Sequence, residues 1–492
     1  MFPPFTLRYA RLPERFYAHV EPVPVREPHL VAFNRPLAEA LGFELSAFDA
    51  EEAAVWFSGN VVPRGAEPLA QAYAGHQFGG FVPQLGDGRA VLLGEVTDRD
   101  SRLRDIQLKG AGRTPFSRGG DGRSPLGPVL REYLVSEAMH ALGIPTTRAL
   151  AAVTTGERVM RGIPEPGAIL TRVASSHIRV GTFQYFAARG DIEGVRELAG
   201  HVIERHYPAL ESRQGGERYL GLLEAVQARQ AALIAKWMGV GFIHGVMNTD
   251  NTSVSGETID YGPCAFMEQY DPKMVFSSID EGGRYAYSNQ PWIAQWNLAR
   301  LAETLLPLID DDSERAVERA TELLQRFPEQ YEREWLAVMR AKLGLVSEKP
   351  GDKALIEALL AAMHRGRADF TLTFRRLANV AESAAAEAAL IELFERPEEI
   401  AGWLEEWRER LAQEEQGESE RAQCMRLANP AFIPRNHRVQ QALTAAMDEN
   451  DYGPFETLLE IITHPFDDQP GREEYMRPAE PTERVFRTFC GT

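Results

Sequence analysis

The residues best able to do chemistry sit in HGVMNTDN, 244–251, and IDYGP, 259–263. Asp250 offers a carboxylate for a hydroxyl proton, and Asn251 and Asp260 offer the oxygen atoms that Mg²⁺ prefers. Asp260 lies nine positions after Asn251, a gap that fits a small hairpin around Ser255, Gly256 and Glu257. Upstream, Lys109 follows IQL in the run RLRDIQLKG, and Glu132 comes 23 positions later. A strand lysine near phosphates needs a fixed position, which a helix carboxylate can give it through an ion pair; the bland alternative is a surface lysine and an unrelated glutamate. Arg172 and Arg179 are seven apart in TRVASSHIRVG. They share a side if the chain between them turns helically, and two guanidinium groups can clamp one phosphoryl group; otherwise they make salt bridges at a junction. In LGDGR, Gly86 and Gly88 let backbone approach a phosphate and Arg89 could reach it, although DG is also an ordinary hairpin turn. GAGRTPFSRGGDGR adds Arg113, Arg118 and Arg123, an anion site if they converge and a solvated loop if they do not, with Asp121 and Gly122 placed to shape that loop around a ribose or phosphate.

These groups need elements to hold them. AVLLGEV within 73–96 and IQL before Lys109 are predicted to form an antiparallel pair of strands. GPVLREYLVSEAMHALGI, 127–144, has helical period, with Val129, Leu130, Tyr133, Leu134, Ala138 and Leu142 on one broad face and Glu132 beside it; Pro145 ends it. Segments 147–155 and 167–175 are two more strands, and 219–242 is a long buried helix that delivers HGVMNTDN. Another apolar helix starts in 289–311. From 319 to 445 the Ala-, Glu-, Leu- and Arg-rich chain fits helices with solvated charged faces, interrupted by a loop or frayed end at 414–420. A small strand-rich lobe followed by a large helical lobe is the order of an α+β, protein-kinase-like bilobal fold. A kinase carries H-R-D-L-x-x-x-N and then D-F-G. Here His244 and Asn251 are in register and Asp260-Tyr261-Gly262 stands for D-F-G, but Val246 occupies the place of the kinase base.

Bulk properties narrow the field. The 492 residues allow more than one lobe, and 44% hydrophobic with 25% charged residues is ordinary for a soluble globular chain. A formal net charge of -18 disfavours broad nucleic-acid binding, though not a local pocket for one nucleotide. Three cysteines, Cys264, Cys424 and Cys490, make neither a secreted disulfide scaffold nor a zinc cluster. No apolar run reaches about 18 residues, and the N-terminus lacks the pattern of a signal peptide. A cytoplasmic protein without nucleic-acid or membrane partners is expected; the oligomeric state stays open.

The sequence closely resembles the SelO family, also called selenoprotein O or protein adenylyltransferase SelO. The resemblance rests on YAGHQFGGFVPQLGDGRA, IQLKGAGRTPFSR, DGRSPL, REYLVSEAMHALGIPTTRAL, HGVMNTDN, DYGP and GGRYAYSNQPWIAQWNLARLAE, spanning roughly 70–305 and continuing more diffusely to the C-terminus. It implies a pseudokinase fold that binds ATP in an inverted orientation, with Mg²⁺ or Mn²⁺, and moves AMP to Ser, Thr or Tyr hydroxyls of proteins with release of diphosphate. By the same resemblance Gly86, Gly88, Arg89, Lys109, Asp121, Gly122, Glu132, Arg172, Arg179 and Asp260 serve the nucleotide, Asn251 and Asp260 the metal, and Asp250 the hydroxyl proton. A kinase that tolerates the altered loop and a catalytically inactive nucleotide-binding regulator remain the alternatives. The expected divisions are an N-terminal extension over 1–60, a small lobe over 61–175, a large lobe with metal and catalytic loop over 176–400, and a helical extension with a redox-capable tail over 401–492. Some family members carry selenocysteine near the C-terminus, where this chain has Cys490. The resemblance therefore implies redox control, with a regulatory disulfide expected between Cys264 and Cys490.

Overall fold

The structure is a computed structural model that describes residues 2–46 and 48–489. Its N-terminal half is built on one sheet: β1 (Phe5–Thr6), β2 (Tyr17–His19), β3 (His29–Phe33), β4 (Leu69–Gln71), β7 (Ala90–Thr97), β8 (Leu103–Lys109), β9 (Ser124–Pro125), β10 (Arg148–Arg161) and β11 (Ile163–Ala174); β5 (Gly75–Gln77) and β6 (Gly80–Val82) form a separate small hairpin. The main order is β2-β4-β7-β8-β11-β10-β3, with β1 on β7 and β9 on β11. All these pairings are antiparallel. The expected β7–β8 pair forms, and β10 and β11 make a hairpin whose turn is Gly162 at φ +83°.

Alternation along these strands assigns the two faces. Val91, Leu93, Ile106, Leu108, Ile169 and Val173 face one way and bury against α1 (Arg35–Ala40) and α2 (Ala50–Phe57). In the register Leu170 opposes Lys109 and Arg172 opposes Gln107, so these four share the other face. That face meets α3 (Leu126–Ala141), the helix carrying Glu132. Behind α3 pack Val439, Leu443, Phe455 and Leu458 of the C-terminal helices Asn436–Thr444 and Gly453–Ile462, so the distant end of the chain braces this helix.

The second half is helical. After α4 (Val180–Ala187) and α5 (Ile192–His206), α6 (Gly216–Val240) runs through the large core and stops at Gly241, whose φ of +70° is the left-handed residue that commonly ends a helix. The short strand Phe242–Ile243 then leads into the 244–251 loop and pairs with Ala265–Phe266. α7 (Gln290–Ile309) closes the loop from below, where Asn297 donates to Met247 O at 2.9 Å. This is the bilobal α+β arrangement of a protein kinase with extensions. Among the described residues no helix is long and apolar enough to cross a membrane.

Two local expectations are corrected. Residues 252–263 do not fold back on themselves as a hairpin. Each arm pairs outward: Val254 N donates to Ile178 O, Val180 N to Thr252 O, Thr258 N to Pro145 O and Thr147 N to Thr258 O. Residues 172–179 do not turn helically either; Arg172 is in β11, and Arg179 is the extended residue before α4.

Candidate active site

Between the lobes lies a cleft of ≈ 350 Å³. Gly88, Arg89, Lys109, Glu132, Arg172, Arg179, Asp250, Asn251 and Asp260 all line it, as does Val246. Lys109 Nζ is 2.6 Å from Glu132 Oε2 and 2.9 Å from Asp260 Oδ1. Arg172, 2% exposed, donates from Nε to Glu132 Oε1 at 2.8 Å and from Nη2 to both Glu132 and Asp260. Arg179 Nη1 lies 3.6 Å from Asp260 Oδ2 and donates to Asp250 O at 3.1 Å. Three cations thus surround two carboxylates, Glu132 buried and Asp260 half-buried. Burial alone would raise both carboxyl pKa values. Arg172 and Lys109 outweigh it at Glu132; with Arg179 they hold Asp260 well below the ordinary carboxylate range. Asp260 itself has φ +66°, a left-handed conformation that a non-glycine residue adopts at a cost, fixed here by its three cationic neighbours.

Asp250 stands in a different environment. It occupies the single 3-10 turn Thr249–Asn251, is buried, and accepts from Gln77 Nε2 at Oδ2 (3.0 Å) while Oδ1 has no hydrogen-bond partner. Burial pushes its carboxyl up to about 6, opposed by Gln77 and Arg179. Gly75 makes room for it: a Cβ there would fall 2.4 Å from Asp250 Oδ1. Asn251 donates from Nδ2 to Val246 O at 2.9 Å, which leaves its Oδ1 as the available atom.

Gly86, Asp121 and Gly122 are not brought to the wall of the cleft. Gly86 has φ +70°, and a Cβ would lie 2.3 Å from the Phe116 ring; a Cβ on Gly122 would collide with Gly112 backbone at 2.1 Å. With Ser117 Oγ donating to Gly88 O and Thr114 Oγ1 to Asp87 O, these contacts lock segment 85–89 against 110–123. Asp121 turns away to Arg161, which donates from both Nη atoms at 2.8 and 2.9 Å and takes its carboxyl down to about 2. Of the three loop arginines only Arg118 lines the cleft; Arg113 donates to Gly119 and Gly120 carbonyls and Arg123 to those of Val23 and Pro24.

Sequence reasoning missed several cleft residues. Gln77 orients Asp250, and the Tyr73 ring lies 4.4 Å beneath the Arg179 guanidinium. Buried Asp87, its carboxyl also raised to about 6 by burial against the pull of Arg179, accepts from Gln71 N and Gln107 Nε2. Asp87 was visible as the charged residue between two glycines of LGDGR. Gln77 had a weaker signal, a polar pair between glycines in GHQFGG, and Tyr73 had none. The expected Cys264–Cys490 disulfide is also corrected: no disulfide occurs among the described residues. Cys264 is a thiol fully buried beside the Ala265–Phe266 strand, its carbonyl accepting from Arg131, and Cys490 lies outside the described residues.

The comparisons agree with this geometry. The family profile described as Protein adenylyltransferase SelO matches residues 3–463. The chain is 62% identical over 488 residues to a protein nucleotidyltransferase YdiU of Rhizobium meliloti (strain 1021), and 62% identical over 490 residues to one from Bradyrhizobium sp. (strain BTAi1), each match covering 99% of both chains. A third similar relative, YdiU of Rhizobium leguminosarum bv. trifolii (strain WSM2304), is 61% identical over 489 residues, 99% of this chain and 97% of its own. With a kinase-like cleft that lacks the kinase base and a match over nearly its whole length, the chain belongs to the SelO family of protein adenylyltransferases.

Proposed function

We propose that the chain transfers AMP from ATP to Ser, Thr or Tyr hydroxyls of protein substrates in the cytoplasm, releasing diphosphate. The observation that carries this reading is the moved carboxylate. Val246 cannot accept a proton, while Asp250, four residues on, is a buried cleft carboxylate with one oxygen unused. Its carboxyl at about 6 leaves it ionised at neutral pH yet close enough to take a hydroxyl proton as attack proceeds.

The remaining residues bind and orient. Lys109, pinned by Glu132, presents an ammonium to phosphate oxygens, and Arg89 lines the same wall. Arg172 spends Nε and Nη2 on carboxylates, so its Nη1 is left for the nucleotide. Arg179 spends Nη1 on the Asp250 carbonyl and keeps Nη2 for the nucleotide, with its plane fixed over Tyr73. The hydroxyl oxygen attacks the α-phosphorus as the Asp250 carboxylate takes its proton; the bond to the β-phosphate oxygen breaks, and these cations offset the charge on the leaving diphosphate.

Mg²⁺ fits the residues present. Asn251 Oδ1 has no protein donor among the described residues, and Asp260 Oδ2 meets only Arg179 at 3.6 Å, so two hard oxygen atoms remain for a cation. Mg²⁺ commonly takes one or two protein oxygens and completes its shell with phosphate and water, and Mn²⁺ accepts the same donors. Bound there, it would supply further neutralisation of phosphate charge. The test is incubation with protein acceptors and ATP labelled at either the α or the γ position. Label from the α position alone on protein is expected; γ label would mean phosphorylation, and neither would mean nucleotide binding without transfer.

A further inference from the structure

Around the mouth of the cleft stand groups that nucleotide chemistry does not use. Phe78, at the tip of the β5–β6 hairpin, and Phe81, within β6, are 36% and 41% exposed; Ile279, on the cleft wall, is 57% exposed; and Trp292, in the first turn of α7, is 56% exposed. Between them lies Arg284. Its guanidinium carbon sits 4.8 Å from the Trp296 ring centre, 5.7 Å from that of Trp292, and 3.7 Å from where a Cβ on Gly79 would lie. Its neighbour Tyr285 donates its hydroxyl to Asn248, two residues before Asp250, and accepts from Phe78 N, which ties this patch to the catalytic loop.

Among the described residues no carboxylate stands within ion-pair distance of Arg284. Asp280 has both oxygens occupied by the backbone amides of Arg284 and Tyr285, at 2.9 and 2.8 Å. Arg300, over the same Trp296 ring, is already paired with Glu303 at 2.7 Å. The Arg284 guanidinium is held in place by indole stacking and by its contact with the Tyr285 side chain, and among the described residues no carboxylate neutralises it. An unpaired cation at the mouth of the cleft stands out in a chain of net charge -18. Trp292 is also the rim of a second hollow, ≈ 450 Å³, walled by Tyr270, Phe327, Tyr331 and Trp335 with Glu332, Lys353 and Glu357 among its polar groups, so Arg284 stands beside the tryptophan that borders this hollow.

We infer that this surface is the docking track for the acceptor protein: a segment with Asp or Glu next to its acceptor hydroxyl, the carboxylate on Arg284 and an apolar side chain beyond it in the tryptophan-rimmed hollow. The inference rests on the AMP-transfer reading. Phe78 and Ile279 flank the hydroxyl as it enters toward Asp250, and the Arg284–carboxylate pair sets which hydroxyls are presented.

The test uses peptides that carry one Ser, Thr or Tyr and differ only in having Asp or Lys beside it, with α-labelled ATP. The wild-type chain is expected to label the Asp peptides about tenfold faster, the scale of a little over 1 kcal/mol for one well-placed ion pair. Arg284→Gln removes that preference and Arg284→Glu reverses it. Trp292→Ala lowers kcat/KM for peptides long enough to reach the hollow but not for short ones. Affinity for ATP stays unchanged in all three variants. Equal labelling of Asp and Lys peptides by the wild-type chain, or an unaltered ranking in Arg284→Glu, overturns the docking track while leaving AMP transfer intact. Absence of α label on every acceptor overturns AMP transfer, and the track with it.

Discussion

Replacing Asp250 with asparagine should abolish transfer and at the same time stabilise the fold. The carboxyl is buried, one of its oxygens has no partner, and its pKa rises from 3.8 to about 6. Between those two values the native state binds more protons at this site than the unfolded chain does, so stability falls as pH rises through the window. Above about 6 the penalty is complete. Two units at about 1.36 kcal/mol each make it about 3 kcal/mol. The amide in Asp250→Asn carries no charge, and its oxygen can still accept from Gln77 Nε2. Its NH₂ group would take the place of the unpartnered oxygen, and an unsatisfied buried donor costs about 1 kcal/mol or more. The expected net gain is about 1 to 2 kcal/mol at pH 7. Asp87 titrates in the same window but is present in both proteins, so it cancels in the difference. Denaturant unfolding of wild type and Asp250→Asn, without nucleotide, from pH 4 to pH 8 reads this directly. The gap should open between pH 4 and 6 and stay level above. A variant less stable than wild type at pH 7, or a gap independent of pH, would refute the buried-carboxylate argument. Wild-type kcat/KM should fall as pH drops below about 6, where Asp250 is protonated.

The other substitutions act on the charged cluster and its supporting loop. Lys109→Ala and Glu132→Ala should not add: their 2.6 Å pair predicts a coupling of about 1–3 kcal/mol in a double-mutant cycle on transfer rate, and additive losses would separate the two residues. Asp260→Ala removes the carboxylate beside Arg179 and leaves Lys109 and Arg172 with Glu132 alone, so it should cost about 3 kcal/mol of stability and eliminate transfer at every Mg²⁺ concentration; a soluble variant with an ordinary Mg²⁺ titration would remove Asp260 from the metal site. Gly86→Ala forces a side chain at φ +70° into the Phe116 ring and should destabilise by about 1–3 kcal/mol in a thermal melt, with weaker ATP binding by calorimetry; an unchanged melt would show that the 110–123 loop yields.

The parts of this fold that were legible in sequence are those whose partners lie nearby or whose periodicity is strong. AVLLGEV and IQLK announce a strand pair because each is a short apolar run bounded by glycine or charge, and α3 and α6 announce themselves by apolar period. Segment 252–263 looked like a hairpin because it has a turn and two short arms. Its backbone partners are instead Pro145, Thr147 and Ile178, more than seventy positions away, and no local pattern encodes them. The same limit applies to Arg172 and Arg179. They converge on Asp260, but through strand register for one and a helix start for the other, so seven-residue spacing was no guide to the geometry. Asp121 shows the converse. Its motif was legible, but the atom that claims its carboxylate is on Arg161, across the β10–β11 turn.

The replacement of the kinase base by Val246 changes less of the loop than the loss of a carboxylate implies. The Val246 carbonyl accepts from Asn248 N at 2.8 Å and from Asn251 Nδ2 at 2.9 Å, so the backbone of this residue still fixes the amide whose oxygen is left for metal. In the proposed reaction only the proton acceptor has moved, to Asp250, and that position carries a dependence of its own. Asp250 is oriented by Gln77 from the β5–β6 hairpin of the small-lobe half of the chain, and the same hairpin docks through His76 N on Thr249 Oγ1 and Phe78 N on Asn248 Oδ1. Thr249 is held in turn by Gln184 of α4, whose amide also meets His76. A base at the Val246 position would have sat on its own lobe whatever the small lobe did. Here the carboxylate is oriented by a hairpin that stands apart from the main sheet and packs on the catalytic loop and α4, so base orientation in the proposed reaction depends on that hairpin's seat.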